Sequence, residues 1–193
     1  MSSDPRPPFS PEQREQRDSL RQTLTQRAKT LAPEGRPAQD LGEWQPSLSE
    51  KIKTLGFEGE AVRAFDLLPL VLVAWADGTI QSEERATILD ILRLRGLTSS
   101  PVYTMFEALL EEQPAPVYLD AALSVLRDLL AEWGDEGASV VDLCIEVAAA
   151  AGDAIGSPDP ISSEERDAMN RIAEALGPGA HAELYRQLGQ RKT

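Results

Sequence analysis

The segment Ile80-Gln81-Ser82-Glu83-Glu84-Arg85 returns eighty-one residues later, with one change, as Ile161-Ser162-Ser163-Glu164-Glu165-Arg166. The match continues as pattern: Ile88 with Met169, Ile91 with Ile172, Gly96 with Gly177. Upstream, at an offset of seventy-six, Leu67 pairs with Leu143, Val71 with Val147, Ala74 with Ala150 and Asp77 with Asp153. The five-residue difference is an insertion in the second turn, Ala154-Ile155-Gly156-Ser157-Pro158. A duplicated unit of this kind dictates how the chain builds its core, because each copy carries apolar positions that it buries against its neighbours. Each unit reads as an apolar helix, a turn opened by Asp, an Ile, and a second helix whose first turn is acidic. Two such units can pack about a pseudo-twofold axis. Gly78 relaxes the first turn, and Ile80 and Ile161 are expected as the buried pins of the two turns, so that Ile80→Asp should unfold the protein.

The remaining chain supports an all-α fold. No hairpin dipeptide sits between alternating apolar runs. Helical periodicity predicts helices near 48–55, 58–76, 82–95, 101–112, 117–133, 138–152, 163–176 and 179–189. Gly96, Gly134 and Gly177 follow apolar periodic runs, where a left-handed terminating residue is needed. Pro101 and Pro116 stand at helix starts, where a missing amide hydrogen costs no helical bond. Over 117–133 the residues Ala122, Leu123, Val125, Leu126, Leu129, Leu130 and Trp133 form a wide apolar face that belongs in a core. The expected architecture is a compact bundle of about seven helices with two pseudo-symmetric helix–turn–helix repeats. It occupies residues 48–193. Residues 1–47 read as an N-terminal extension: a disordered Ser/Pro-rich start, a helix opened by Ser10 and Pro11 with a narrow Leu20, Leu24, Ala28, Leu31 stripe, and a Pro/Gly linker. Trp44, in that linker, is placed to meet a partner.

Charge narrows the function classes. The net charge is −13. Residues 1–53 hold nine basic and eight acidic side chains, and residues 54–193 hold ten and twenty-four. The folded part is the acidic part. Such a field repels nucleic-acid phosphates and anionic lipid, and attracts metal cations and basic protein surfaces. The longest apolar run, Leu67–Ala76, is half of what a membrane span needs. One cysteine and no secretory leader point to the cytoplasm.

The acidic residues of the two turns are the candidate site: Asp77, Glu83 and Glu84 in one unit, Asp153, Glu164 and Glu165 in the other, with Asp159 nearby. Oxygen ligands suit a divalent cation of the calcium or magnesium class. Asp77-Gly78-Thr79-Ile80 with Glu84 fits the second half of a calcium-binding helix–loop–helix loop. The first half fails, because Val73 and Trp75 stand where ligands are required. The competing reading is structural. Glu83, Glu84, Glu164 and Glu165 lie in first helical turns, where carboxylates meet unpaired amides and the positive end of the helix dipole. Ser162 with Glu165 is a capping box, and Gln81 or Ser82 serves less well in the first unit. If the two acidic turns meet, carboxylates from both can complete one cation site. His181 is the only histidine, read as a surface or capping residue. Cys144 reads as a buried small hydrophobe, and Trp75 as core. No catalytic residue emerges.

The stretch Ala74-Trp75-Ala76-Asp77-Gly78-Thr79-Ile80-Gln81-Ser82-Glu83-Glu84 resembles the signature of the TerB-like tellurite-resistance family. Both halves of residues 58–189 show the likeness, although the second lacks the Asp-Gly pair. The resemblance implies an all-α domain with an internal pseudo-repeat, in a cytoplasmic or membrane-associated setting. It implies a non-enzymatic scaffold or sensor in stress response that takes a divalent cation through its acidic turns. The alternative is a metal-free helical adaptor whose acidic surface, or whose N-terminal helix, engages a basic protein partner.

Overall fold

The computed structural model describes residues 46–98, 101–133, 137–155 and 161–190. The expected helix after Ser10, the linker with Trp44, Gly134 and Asp159 lie outside the described residues. Eight α-helices are present among those described: α1 (Pro46–Thr54), α2 (Leu68–Ala74), α3 (Ser82–Leu94), α4 (Pro101–Glu111), α5 (Pro116–Trp133), α6 (Ala138–Ile155), α7 (Ser163–Leu176) and α8 (Pro178–Gln190). A 3-10 helix, Gly59–Leu67, leads directly into α2. The described residues include no strand.

The helix expected over 58–76 is therefore two elements. Pro69 is the cause. It has no amide hydrogen to give to the carbonyl four residues back, so an α-helix cannot run through it without losing a bond. The chain resolves this by closing the tighter pattern, Leu68 N–H to Phe65 O, and starting α2 with the proline in its first turn. The 3-10 segment is tied down at both ends. Phe57 and Phe65, both fully buried, meet edge to face at 4.9 Å. Asp66 takes both terminal nitrogens of Arg95, at 2.7 and 2.9 Å, and Arg95 also donates to Arg63 O. Arg95 is the residue that caps the end of α3, and Gly96 after it turns the chain at φ +72°.

α6 is the central helix. Every residue from Leu143 to Ala150 is buried, Glu146 included. A helix apolar on all sides is surrounded by others, and α6 packs against α2, α3, α7 and α8. α5 closes the other side, against α1, α2 and α7, burying Ala122, Leu123, Val125, Leu126, Leu129 and Leu130 as its periodicity requires. Tyr118 Oη donates to Leu55 O at 3.0 Å and joins α5 to the end of α1.

The repeat is physical. Leu67 and Leu143, Val71 and Val147, Ala74 and Ala150, Ile88 and Met169, and Ile91 and Ile172 are all buried. The two turns differ. Gly78 adopts φ +87° in the first, whereas α6 continues through Asp153 to Ile155, so Asp153 lies within a helix and opens no turn. Ile161 is a buried pin, 3% exposed. Ile80 is only half-buried, packed against the edge of the core. The Asp-Gly turn of the first unit brings its isoleucine to the rim, whereas Ile161 of the second unit lies inside. No described helix is long and apolar enough to cross a membrane.

Candidate functional site

Both acidic helix starts obey the same local rule. The first amides of a helix have no internal partner, and a glutamate three residues in can fold back to satisfy the capping residue's own N–H. Glu84 Oε2 accepts from the Gln81 amide at 2.8 Å. Glu165 Oε2 accepts from the Ser162 amide at 2.6 Å, and Ser162 Oγ accepts from the Glu165 amide at 3.1 Å. The capping box expected around Ser162 is present, and in the first unit Gln81 is the capping residue.

The same two glutamates head the buried stripe of their helices. Glu84 stands four and seven residues before Ile88 and Ile91, and Glu165 stands four and seven before Met169 and Ile172. Residues at that spacing share a helix face. The consequence is that the caps are carried inward: Glu84 is 2% exposed and Glu165 is 7%. There Glu165 and Asp77 are near enough to Glu84 to bear on its ionisation. Each unit thus carries one buried capping glutamate at the start of its second helix.

Two buried carboxylates cannot both ionise at low cost. Burial pushes the Glu84 carboxyl up to about 8. The Gln81 amide pulls the other way, and the neighbouring charges of Glu165 and Asp77 add to the rise. Glu84 is therefore the carboxyl that is held toward its protonated form.

The other four named carboxylates are placed differently. Asp77 is exposed, and its Oδ1 accepts from the Thr79 amide at 2.9 Å and the Thr79 hydroxyl at 3.1 Å, which fixes the first turn. Glu83 and Glu164 face solvent, each accepting from the serine before it, Ser82 Oγ at 2.8 Å and Ser163 Oγ at 2.9 Å. Asp153 lies on α6, with its side chain outside the described set. Among the described residues, no three His, Cys, Asp or Glu side chains are grouped so as to hold a metal ion. A calcium-class cation takes six to eight oxygens. Glu84 and Glu165 supply two carboxylates, and each already has an oxygen on a backbone amide. The described donors do not fit such a cage.

Other candidates fall where the sequence puts them. Cys144 is fully buried on α6, and burial pushes its thiol up, away from the reactive thiolate. Trp75 is half-buried and donates to Leu109 O at 2.9 Å, linking the end of α2 to α4. His181 is half-buried on α8 with its ring against Tyr185. A polar cluster that sequence reading missed joins α6 to α8. Gln187 donates to Asp142 at 2.8 Å and to Glu183 at 2.9 Å, while Arg186 pairs with Glu183. Its sequence signals are local ones, the i, i+3 spacing of Glu183 and Arg186 and the i, i+4 spacing of Glu183 and Gln187.

An all-α domain made of two like units, each opening its second helix on a buried capping glutamate, defines a duplicated helical module. Residues 67–186 match the family described as "Tellurite resistance protein TerB", over more than half of the chain, and the chain belongs to the TerB tellurite-resistance family. No curated protein and no solved structure matches it.

Proposed function

We propose that this TerB-family chain is a non-enzymatic scaffold or sensor of stress response that presents an acidic face to a basic protein partner. The division of labour among its carboxylates supports this reading. The buried Glu84 and Glu165 are spent on capping their own helices, while Asp77, Glu83 and Glu164 lie outside, exposed and held by their own turns. Exposed, pre-ordered carboxylates attract arginine and lysine side chains over several ångströms. The sealed, high-pKa thiol of Cys144 favours a role without a cysteine nucleophile.

An arginine-rich peptide, titrated by calorimetry at low and high salt, tests the proposal. Binding should weaken with salt and fail in the Glu83→Lys/Glu164→Lys double variant. Heat that persists unchanged in that variant would dismiss the acidic face. The second reading, uptake of a divalent cation through the acidic turns, rests on the family resemblance, since the described donors build no cage for it. Titration with calcium, magnesium, manganese and zinc separates the two. Heat that vanishes in Asp77→Ala and Glu84→Ala would establish the cation and displace the metal-free reading.

A further inference from the structure

We infer that residues 12–31 of this same chain dock as a helix on the apolar corner where α2 ends, α3 begins and α4 ends, and cover it until a basic partner displaces them. The Trp75 indole donates to Leu109 O at 2.9 Å and brings the end of α2 against α4. Gly78 N–H bonds Trp75 O at 3.0 Å, closing the turn that leads to Ile80 and α3. Arg85 of α3 reaches Glu111 of α4 at 3.5 Å. Trp75, Ile80 and Leu109 are each half-buried, resting on the core with one side open. Asp77, Glu83 and Glu111, from the same turn and helix ends, are exposed. Open apolar side chains bordered by carboxylates suit an apolar ligand with positive charge at its margins.

The chain supplies such a ligand in residues 12–31, which lie outside the described set and whose pattern is read from the sequence. At helical spacing Leu20, Leu24, Ala28 and Leu31 fall within about 80° of one another. Arg14, Arg17, Arg21 and Arg27 fall inside that stripe or at its borders, whereas Glu12, Glu15 and Asp18 fall away from it. Residues 14–31 hold five basic and two acidic side chains, against ten and twenty-four over 54–193. So narrow a stripe does not sustain a helix in water, and packing against a surface completes it. Residues 32–45 link the segment to α1. Fourteen residues span up to about 45 Å when extended, enough to reach any side of a body about 40 Å across. Tethering holds the segment at roughly millimolar effective concentration, ahead of a free peptide of equal affinity. This occupant rests on the acidic face proposed above, and gives that face a resident ligand.

Paramagnetic NMR of the full chain tests the docking, with a nitroxide on Gln22→Cys, a position opposite the stripe. Cys144 is buried and stays unlabelled. Amides of residues 77–83 and 109–111 should broaden more than those of α8, and the broadening should vanish in Arg17→Glu/Arg21→Glu. Broadening elsewhere, or broadening that survives this charge reversal, would overturn the inference. When a spin-labelled chain is mixed with an isotope-labelled one, the second should stay sharp; broadening there would give the corner to another copy and overturn the tethered contact. A second arm uses the arginine-rich peptide. Leu20→Asp/Leu24→Asp alters no residue of the eight helices, and the peptide should bind that variant at least about threefold tighter than the wild type. Equal binding to both would remove the resident segment and leave the acidic face standing. Binding to neither would remove the acidic face, and its occupant with it.

Discussion

At the third position of a helix a glutamate usually has water on one side and a cap amide on the other. Glu84 has lost the water, and this sets the sign of its effect on stability. Its folded value, about 8, lies above the ordinary 4.5. The folded state therefore holds the extra proton, and the stability this confers is full below the ordinary value and is lost as pH rises through about 8. Glu183 behaves oppositely. Arg186, mainly, lowers it to about 2, so its contribution is present above the ordinary value and is lost as pH falls through about 2. Calorimetric melting from pH 3 to pH 9 should show the highest midpoint on the mildly acidic side of neutrality, with a decline on either side. Glu84→Gln should flatten the alkaline limb alone. The two isoleucines of the turns give a second test at this scale. Ile161→Ala, at a sealed site, should cost about 2–4 kcal/mol in urea unfolding, and Ile80→Ala, at the rim, about half as much. Equal losses would contradict the unequal burial of the two turns.

Helix by helix, what the sequence revealed and what it hid follow from how far each signal reaches. The repeat was legible because it rests on burial at fixed spacing, and the paired positions from Leu67 to Ile172 are indeed inside. Helix starts were legible because capping is a local contact between residues three apart. The split at Pro69 was readable in principle: a proline eleven residues into an expected helix is a direct conflict, and the structure settles it with a 3-10 segment. The sequence ends α6 too early, because Asp153 aligns with a turn residue and Gly152 before it reads as a terminator, whereas the helix runs through both to Ile155. The burial of Glu84 and Glu165 needed one further step, noticing that each capping glutamate falls on its helix's buried stripe. The Asp66–Arg95 bridge had no local signal at all, since its partners are twenty-nine residues apart. It offers a test for the 3-10 segment. With side chains 17% and 6% exposed, removal of one partner leaves a largely buried charge unpaired, so Asp66→Asn should cost roughly 2–4 kcal/mol. Ser162→Ala, which removes a cap and nothing else, should cost about 1 kcal/mol. Both are measured by the urea midpoint, and the order matters more than either value.

Taken as one body, the molecule carries a net charge of −13 with most of the excess in its folded part. Self-repulsion of that size is relieved by counter-ions, with a screening length of about 8 Å at physiological salt. Raising sodium chloride from 10 to 300 mM should therefore raise the melting midpoint, and a fall would mean that attractive surface pairs such as Lys51–Asp128 and Arg171–Asp120 outweigh the repulsion. The whole-molecule view also gives the central helix an experimental use. The chain's single sulfhydryl, the seventh residue of α6, sits fully buried in the bundle. A water-borne alkylating reagent has no route to it while the helices stay together. Its progress curve is thus a clock for the rarest event, the parting of the entire assembly, and it runs in the natural sequence with no reporter introduced.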